Sequence, residues 1–320
     1  MQKSVITTVT LLLFCGFAGA QNLSSDLGKV SSQYAQAYLT PAVNAFGVDL
    51  NSGLFHTASV GGALPFGLNL YIGVQVGGAF ISSSDKTFNL AYPDSVSNPL
   101  GGWIPATDSV INAPTIFGSK QKGVIETYTP LGLAQIDSTI GGLIKTSIAP
   151  VPIPQIGLGS LFGTDVMVRW LPKIKFGDYG SLQLFGWALR HSISQYIPLI
   201  PVDVAVQIGF QNFEIKDTSG NNLLKTSTFA ANVEVSKTFA ILTLYGGFQI
   251  ESSKTDVNYT YTYTLADQAQ ESIPISFSVT GKNKSRALLG LDLNLGGLTI
   301  NADYSIGAVN AATAGIGITI

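Results

Sequence analysis

Few side chains in this sequence are spaced for chemistry, and the best candidate group surrounds one of its two histidines. His191 follows Arg190 and lies close to Ser192 and Ser194. A histidine near a serine can activate the hydroxyl as a nucleophile, so a hydrolase site at His191 is one hypothesis. The alternative, which we favour, is that His191 is a polar residue at a strand end or in a loop.

No pattern in the sequence indicates a metal, nucleotide or cofactor site. A His-Glu-x-x-His motif is absent, and Cys15 is the single cysteine. Glycine pairs such as Gly61-Gly62 lack the lysine and the following helix of a phosphate-binding loop, and they predict strand bends instead. We therefore predict a protein that is not an enzyme and has no metal or cofactor.

The elements that would position these residues are two-faced β-strands. Residues 239–320 form consecutive short segments in which apolar residues alternate with small or polar ones, as Leu298 and Ile300 do with Thr299 and Asn301. Side chains on a strand point to opposite faces with period two, so each strand has one apolar face. A membrane β-barrel requires this pattern, with the apolar face toward lipid and the polar face toward the lumen.

Composition and the first residues favour an exported membrane barrel over a large soluble β protein. Lys3, the apolar residues 5–17 and Ala18-Gly19-Ala20 predict a signal peptide of residues 1–20, which removes Cys15 on cleavage. Charged residues make up only 11 % of the chain, and no later segment is apolar for long enough to form a spanning helix. We predict a location in the bacterial outer membrane. The net charge of −2 argues against a nucleic-acid partner.

The fold class that we predict is all-β. It is a closed, antiparallel transmembrane β-barrel of about 12 to 14 strands, with 14 favoured, preceded by short N-terminal helices. Residues 21–55 would form the helical plug or periplasmic cap, since apolar residues recur at helical spacing over 22–40 and Thr40 can cap a second helix. Residues 56–320 would form the barrel.

Two parts of the barrel segment break the strand pattern. Residues 83–121 are rich in turn-forming residues and predict a long outer loop. The prolines at 150, 152 and 154 predict an irregular or inward-folded segment, because proline cannot donate a hydrogen bond to a ladder.

Charged residues on the predicted strands fall on the luminal face. When the apolar residues alone set each register, six charges lie on the opposite face: Arg169, Asp203, Glu234, Arg286, Asp292 and Asp303. Asp165, Arg169, Arg190 and Asp203 could form an ion-pair network that braces the wall or binds substrate. The candidate ligand-binding residues of plug and lumen are Phe46, Leu50, Phe55, Arg169, Arg190 and Asp203.

Several short motifs resemble an uncharacterised outer-membrane β-barrel family of Bacteroidota. They are Tyr38-Leu39-Thr40-Pro41, Phe46-Gly47 with Leu50-Asn51-Ser52-Gly53, Gly163-Thr164-Asp165 with Arg169 and Leu171-Pro172, and Ile200-Pro201-Val202-Asp203. The overall plan is similar to that of fatty-acid-transporter (FadL-type) barrels. The resemblance implies a plugged barrel of about 14 strands and, at most, passive uptake of a hydrophobic compound.

Two functions remain open from the sequence. The first is passive passage of small hydrophobic molecules through a plugged barrel. The second is a closed structural or surface-interaction barrel without transport. The expected partners are outer-membrane lipid, the barrel-assembly machinery and a hydrophobic small-molecule ligand.

Overall fold

The computed structural model describes residues 32–61, 68–97, 102–175, 180–197, 199–264 and 270–320. The predicted signal peptide, residues 1–20, and the start of the first predicted helix lie outside these residues. The described chain consists of one α-helix, α1 (Ser32–Leu50), and fifteen strands. The strands are β1 (Asn69–Phe80), β2 (Thr87–Ser97), β3 (Trp103–Pro114), β4 (Val124–Thr129), β5 (Gly132–Ser138), β6 (Ile148–Leu161), β7 (Thr164–Lys175), β8 (Ser181–Ser192), β9 (Asp203–Lys216), β10 (Asn222–Phe239), β11 (Leu242–Thr264), β12 (Gln270–Thr280), β13 (Ser285–Leu295), β14 (Leu298–Gly307) and β15 (Ala311–Thr319).

A closed antiparallel barrel is the centre of the fold, as predicted. Its strands follow the order β10-β9-β8-β7-β6-β1-β15-β14-β13-β11, and β11 pairs with β10 to complete the ring. The first and last of these strands in the sequence also pair, with Tyr71 opposite Thr319. No strand of the ring is therefore left with a free edge along its whole length.

The ring has ten strands within the described residues, so the predicted count of 12 to 14 was wrong. One cause is β11, which continues unbroken through the polar residues 252–254 and is 23 residues long. Its first part pairs with β13 inside the ring, and its later part leaves the ring and pairs with β12.

The second cause is the segment between β1 and β6. The long outer loop predicted at 83–121 is in fact ordered sheet, because β2 and β3 pair along most of their lengths. With β4 and β5 they form a separate four-stranded sheet outside the ring. This sheet covers one end of the barrel, which we call the capped end. At the opposite end, the turn end, β6–β7, β10–β11 and β13–β14 are joined by turns at 162–163, 240–241 and 296–297.

The proline-rich segment was predicted to be irregular, but it is part of β6. Pro150, Pro152 and Pro154 lie opposite Gly78, Val76 and Val74 of β1. Backbone N–H groups alternate between the two edges of a strand, so prolines two residues apart all lack a donor on the same edge. The edge toward β1 keeps its donors and pairs normally.

The described residues of the two predicted N-terminal helices lie in one helix, with Pro41 inside it. Pro41 removes one backbone hydrogen bond, but α1 continues because both of its halves are buried, through Tyr34 and Tyr38 before the proline and Val48 and Leu50 after it. Within the described residues, no helix combines the length and apolar composition that a membrane-spanning helix needs.

The two faces of the barrel wall differ as the alternation predicted. Each ring strand exposes large apolar side chains on its outer surface, among them Ile72, Phe185, Phe248, Leu289 and Ile318. We call this outer surface the apolar belt. On the inner face, Arg169, Glu234, Arg286 and Asp292 are buried, while Asp203 and Asp303 are partly exposed.

Candidate functional site: the barrel lumen and its plug

The segment from α1 to residue 58 fills the lumen and follows it from one end to the other. Near the capped end, the Gln36 side chain donates to the carbonyl of Ser278 on β12, at 3.2 Å. The Asn44 side chain accepts from the backbone of Lys282, just before β13, at 3.1 Å. At the turn end, the backbone N–H of Ala58 donates to the Ser236 hydroxyl of β10, at 3.0 Å. We call residues 32–58 the plug.

Three buried arginines of the wall hold the plug between the end of α1 and the end of the plug. The last carbonyls of a helix have no partner within the helix, and their negative dipole end attracts cations. Arg286 of β13 donates to the carbonyl of Val48 at 3.0 Å and to the Ser52 hydroxyl at 2.7 Å. It is also paired with Glu251 of β11, at 2.5 Å, and both side chains are nearly inaccessible.

Arg169 of β7 makes the densest set of contacts with the plug. It donates to the carbonyls of Leu50 at 2.9 Å and Ser52 at 2.8 Å, and also to that of Gly53. Gln211 of β9 accepts from Arg169 at 3.2 Å and donates to the same Leu50 carbonyl. Gly186 lies between these two strands, and a Cβ there would be 2.5 Å from the Gln211 side chain. The glycine thus makes room for the contact.

Arg190 of β8 holds the end of the plug. Its guanidinium forms an ion pair with Asp165 of β7 and donates to the carbonyl of Thr57. The same guanidinium lies over the ring of Phe55, 4.6 Å from its centroid. Of the predicted four-residue network, Arg190 and Asp165 pair with each other, whereas no ion pair in the described part of the chain includes Arg169 or Asp203. The plug contacts the pair through Thr57 and Phe55.

An apolar patch interrupts the polar lining of the lumen. Its buried members come from the plug and from β6 to β9: Leu50, Val151, Ile153, Leu171, Leu182, Leu184, Phe213 and Ile215. Phe46 of α1 packs against it, with its ring 4.6 Å from that of Phe213. Two candidate ligand-binding residues, Phe46 and Leu50, therefore lie on an apolar surface inside the barrel.

The wall next to this patch lacks part of its ladder. β6 pairs with β7 from Gln155 to Leu158 and again at Leu161, but not over residues 148–154. The missing pairs coincide with the three prolines, whose donor-free edge must face β7 because the other edge pairs with β1. We call this stretch, 148–154 of β6 beside 170–175 of β7, the seam. Packing of Val151, Ile153 and Leu171 closes it on the inside.

A small cavity of about 20 Å³ lies on the other side of the plug. It is lined by plug residues 51–55 and by side chains of β10, β11, β13 and β14, including Asn232, Arg286 and Asp303. The side-chain carbonyl oxygens of Asn51 and Asn232 are buried here without a protein partner. This side of the lumen is polar, in contrast to the side beside the seam.

The structure brings together five of the six candidate ligand-binding residues around the plug: Phe46, Leu50, Phe55, Arg169 and Arg190. Asp203 lies apart at the start of β9, and none of the ion pairs between described residues includes it. His191 contacts the Thr164 hydroxyl at 2.8 Å and the Tyr196 hydroxyl at 3.1 Å. His56 is in the plug, 3.4 Å from Asp292.

Arg286, its partner Glu251 and Gln211 also belong to the site, although none of them was among the predicted site residues. Arg286 was placed on the luminal face, and that was the available signal. Its partners in the plug are main-chain carbonyls, which every residue has, so no residue type could indicate them.

A family model matches the chain over residues 1–320. The chain belongs to DUF6588, a family of unknown function. Membership in DUF6588 covers the plug, the barrel and the capping sheet alike. No curated protein matches the chain.

Solved structures similar to this DUF6588 chain include three bacterial proteins. OmpTdeltaL8, a loop deletion mutant of the Vibrio cholerae outer membrane protein OmpT, is 10 % identical with a TM-score of 0.27, covering 79 % of this chain and 99 % of that one. The translocator domain of autotransporter NalP from Neisseria meningitidis is 10 % identical with a TM-score of 0.24, covering 90 % and 96 %. An anion-selective porin from Comamonas acidovorans is 12 % identical with a TM-score of 0.21, covering 79 % and 98 %.

Proposed function

We propose that the chain is a barrel of the bacterial outer membrane that lets small hydrophobic molecules cross passively, without enzymatic activity. The apolar belt supports the membrane location. Large apolar side chains such as Phe248 (57 % exposed) and Leu289 (73 % exposed) surround the wall, whereas soluble monomers rarely expose apolar patches beyond a few hundred Å². Lipid chains can cover such a surface without exposing it to water. The backbone N–H and C=O groups of the wall are hydrogen-bonded within the closed ring, as a membrane interior requires.

The observation that carries the proposed passage is the apolar patch beside the seam. A lumen that conducts ions or sugars is polar, whereas this one is apolar between the plug and β6 to β9. The seam is the stretch of wall where no ladder hydrogen bonds must break for strands to part. A hydrophobic molecule on the patch could thus reach the lipid between β6 and β7, past Ile153 and Leu171.

A reversible cross-link across the seam tests this route. Continuing the register from Gln155 opposite Arg169 places Ile153 opposite Leu171, so we would replace these two with cysteine. The matched control is a cysteine pair at Val206 and Val233, which lie opposite each other in a fully paired wall. Cys15, the one native cysteine, lies in the predicted signal peptide.

We expect oxidation of the seam pair to reduce uptake of the hydrophobic dye N-phenylnaphthylamine by proteoliposomes to the level of empty vesicles. A reductant should restore uptake, and oxidation of the control pair should leave it unchanged. Equal uptake with the seam locked and unlocked would rule out the lateral route.

A closed structural barrel is the second candidate, and the arginine contacts of the plug favour it. Arg169, Arg190 and Arg286 bind the plug in three places, so the lumen is occluded. On this hypothesis, neither the wild-type protein nor a Leu50→Ala variant, which thins the apolar patch, takes up dye above empty vesicles. Uptake that rises in the variant would favour passage instead.

A further inference from the structure

The plug begins at the capped end of the barrel and runs through the lumen toward the turn end. The N-terminal half of α1 packs at the capped end, where Tyr34 and Tyr38 share a cluster with Val110 of β3 and Ile125 of β4. The Tyr38 hydroxyl donates to the carbonyl of Gly141 there, at 2.9 Å. The chain then moves away from the capping sheet.

Successive contacts with the wall follow this path. Val48 is held by Arg286 at 3.0 Å, Leu50 by Arg169 at 2.9 Å, and the Thr57 hydroxyl lies 3.2 Å from that of Ser236 near the turn end. The carbonyl of Gly61 then accepts from Asn69, the first residue of β1, at 3.0 Å. The plug is therefore a complete additional crossing of the barrel, from the capped end to the turn end.

The lengths of the connections distinguish the two ends. Three of the four connections at the turn end are two residues long, and the fourth, between β8 and β9, spans residues 193–202. The connection between β1 and β6 at the capped end is longer still, because it contains a four-stranded sheet. Bacterial barrels have short periplasmic turns and longer outer loops. If the barrel is in the outer membrane as proposed above, the capped end faces the outside.

From these two observations we infer that the start of α1 is presented at the cell surface, while the end of the plug and both termini of the ring face the periplasm. In this arrangement the plug crosses the membrane in addition to the ten ring strands. Plug and capping sheet form a single apolar cluster on the outer side.

Cysteine labelling in intact cells tests this arrangement. Three exposed positions are suitable: Gln33 at the start of α1, Ser84 beside the capping sheet and Ser59, the residue that follows the plug. Each is replaced singly with cysteine in the full chain, and heat-modifiable migration on gels verifies that the barrel is folded. The probe is a membrane-impermeant maleimide, applied before and after the outer membrane is permeabilised.

We expect Gln33→Cys and Ser84→Cys to react in intact cells as fully as after permeabilisation, and Ser59→Cys to react only afterwards. Reaction of Ser84→Cys but not Gln33→Cys in intact cells would overturn the crossing of the plug and leave the membrane barrel standing. Reaction of Ser59→Cys alone would reverse the orientation and overturn surface presentation. If none reacts before permeabilisation, surface presentation is wrong and the outer-membrane location of the proposed function falls with it.

Discussion

The barrel within its apolar belt and the region at the capped end have opposite distributions of polarity. In the belt, apolar side chains face outward, and buried glutamines, arginines and carboxylates face inward. At the capped end, Tyr34, Tyr38, Val110 and Ile116 form an apolar interior, as in an ordinary water-soluble domain. A single chain thus builds two kinds of core.

One strand shows where the change occurs. In β11, the outward-facing Leu244, Phe248 and Ile250 are exposed and apolar. Further along the same face come Ser252 and Lys254, both exposed and polar. The inward-facing residues show the reverse change in polarity. Gln249 and Glu251 are polar and buried, whereas Val257, further along the strand, is apolar and buried. The strand keeps its alternation while each face exchanges its polarity, as expected where a wall leaves lipid for water.

The largest effect should come from breaking the polar interior of the belt. Arg286→Ala leaves Glu251 buried without its partner and frees the Val48 carbonyl. Removing one member of a buried ion pair costs about 3–5 kcal/mol. Denaturant unfolding of the protein in detergent micelles measures the loss. The control is Lys254→Ala, which breaks an exposed pair with Asp256 and should cost about 0–1 kcal/mol. Similar losses for the two variants would contradict a polar core held by this pair.

The next effect concerns the outer surface of β11. Phe248→Arg places a charge within the proposed lipid layer and should cost about 2–4 kcal/mol in bilayers. Ser252→Arg, on the same face beyond the apolar residues, should cost about 0–1 kcal/mol. Folding into lipid vesicles at increasing denaturant compares the two. An equal cost at both positions would mean that the membrane boundary does not fall between residues 250 and 252.

The smallest effect should come from the capped end. Tyr38→Phe removes the hydroxyl that donates to Gly141 in a mostly apolar cluster and should cost about 0.5–1.5 kcal/mol. Tyr128→Phe is the matched control, since its hydroxyl contacts Glu126 at an exposed position of β4. Thermal unfolding of both variants in detergent distinguishes them. A loss from Tyr128→Phe as large as that from Tyr38→Phe would show that burial does not determine the cost.

The sequence predicted the barrel because alternation is a local property of each strand. It misplaced the capping sheet, where Pro93 and Pro105 lie within strands that pair nonetheless. A proline removes a hydrogen-bond donor from only one edge of a strand, and the sequence alone does not show which edge has a neighbouring strand. The inward charges were predictable from alternation, because the apolar residues of each strand define one face and the charges fall on the other. Their contacts with the plug were not, because those depend on how a separate helix sits in the closed ring.

Both partners of strand β1 are far from it in the sequence, unlike the partners of most other ring strands. Most neighbouring ring strands are joined by short connections, but β1 pairs with β6, beyond the capping sheet, and with β15, at the far end of the ring. Contacts between residues so distant in sequence form slowly, because the intervening chain must first lose its freedom. The rest of the ring can therefore assemble hairpin by hairpin as an open, curved sheet. Since the plug precedes β1 in the chain, we expect the closing strand and the helix that fills the interior to be added together, in the last step of assembly.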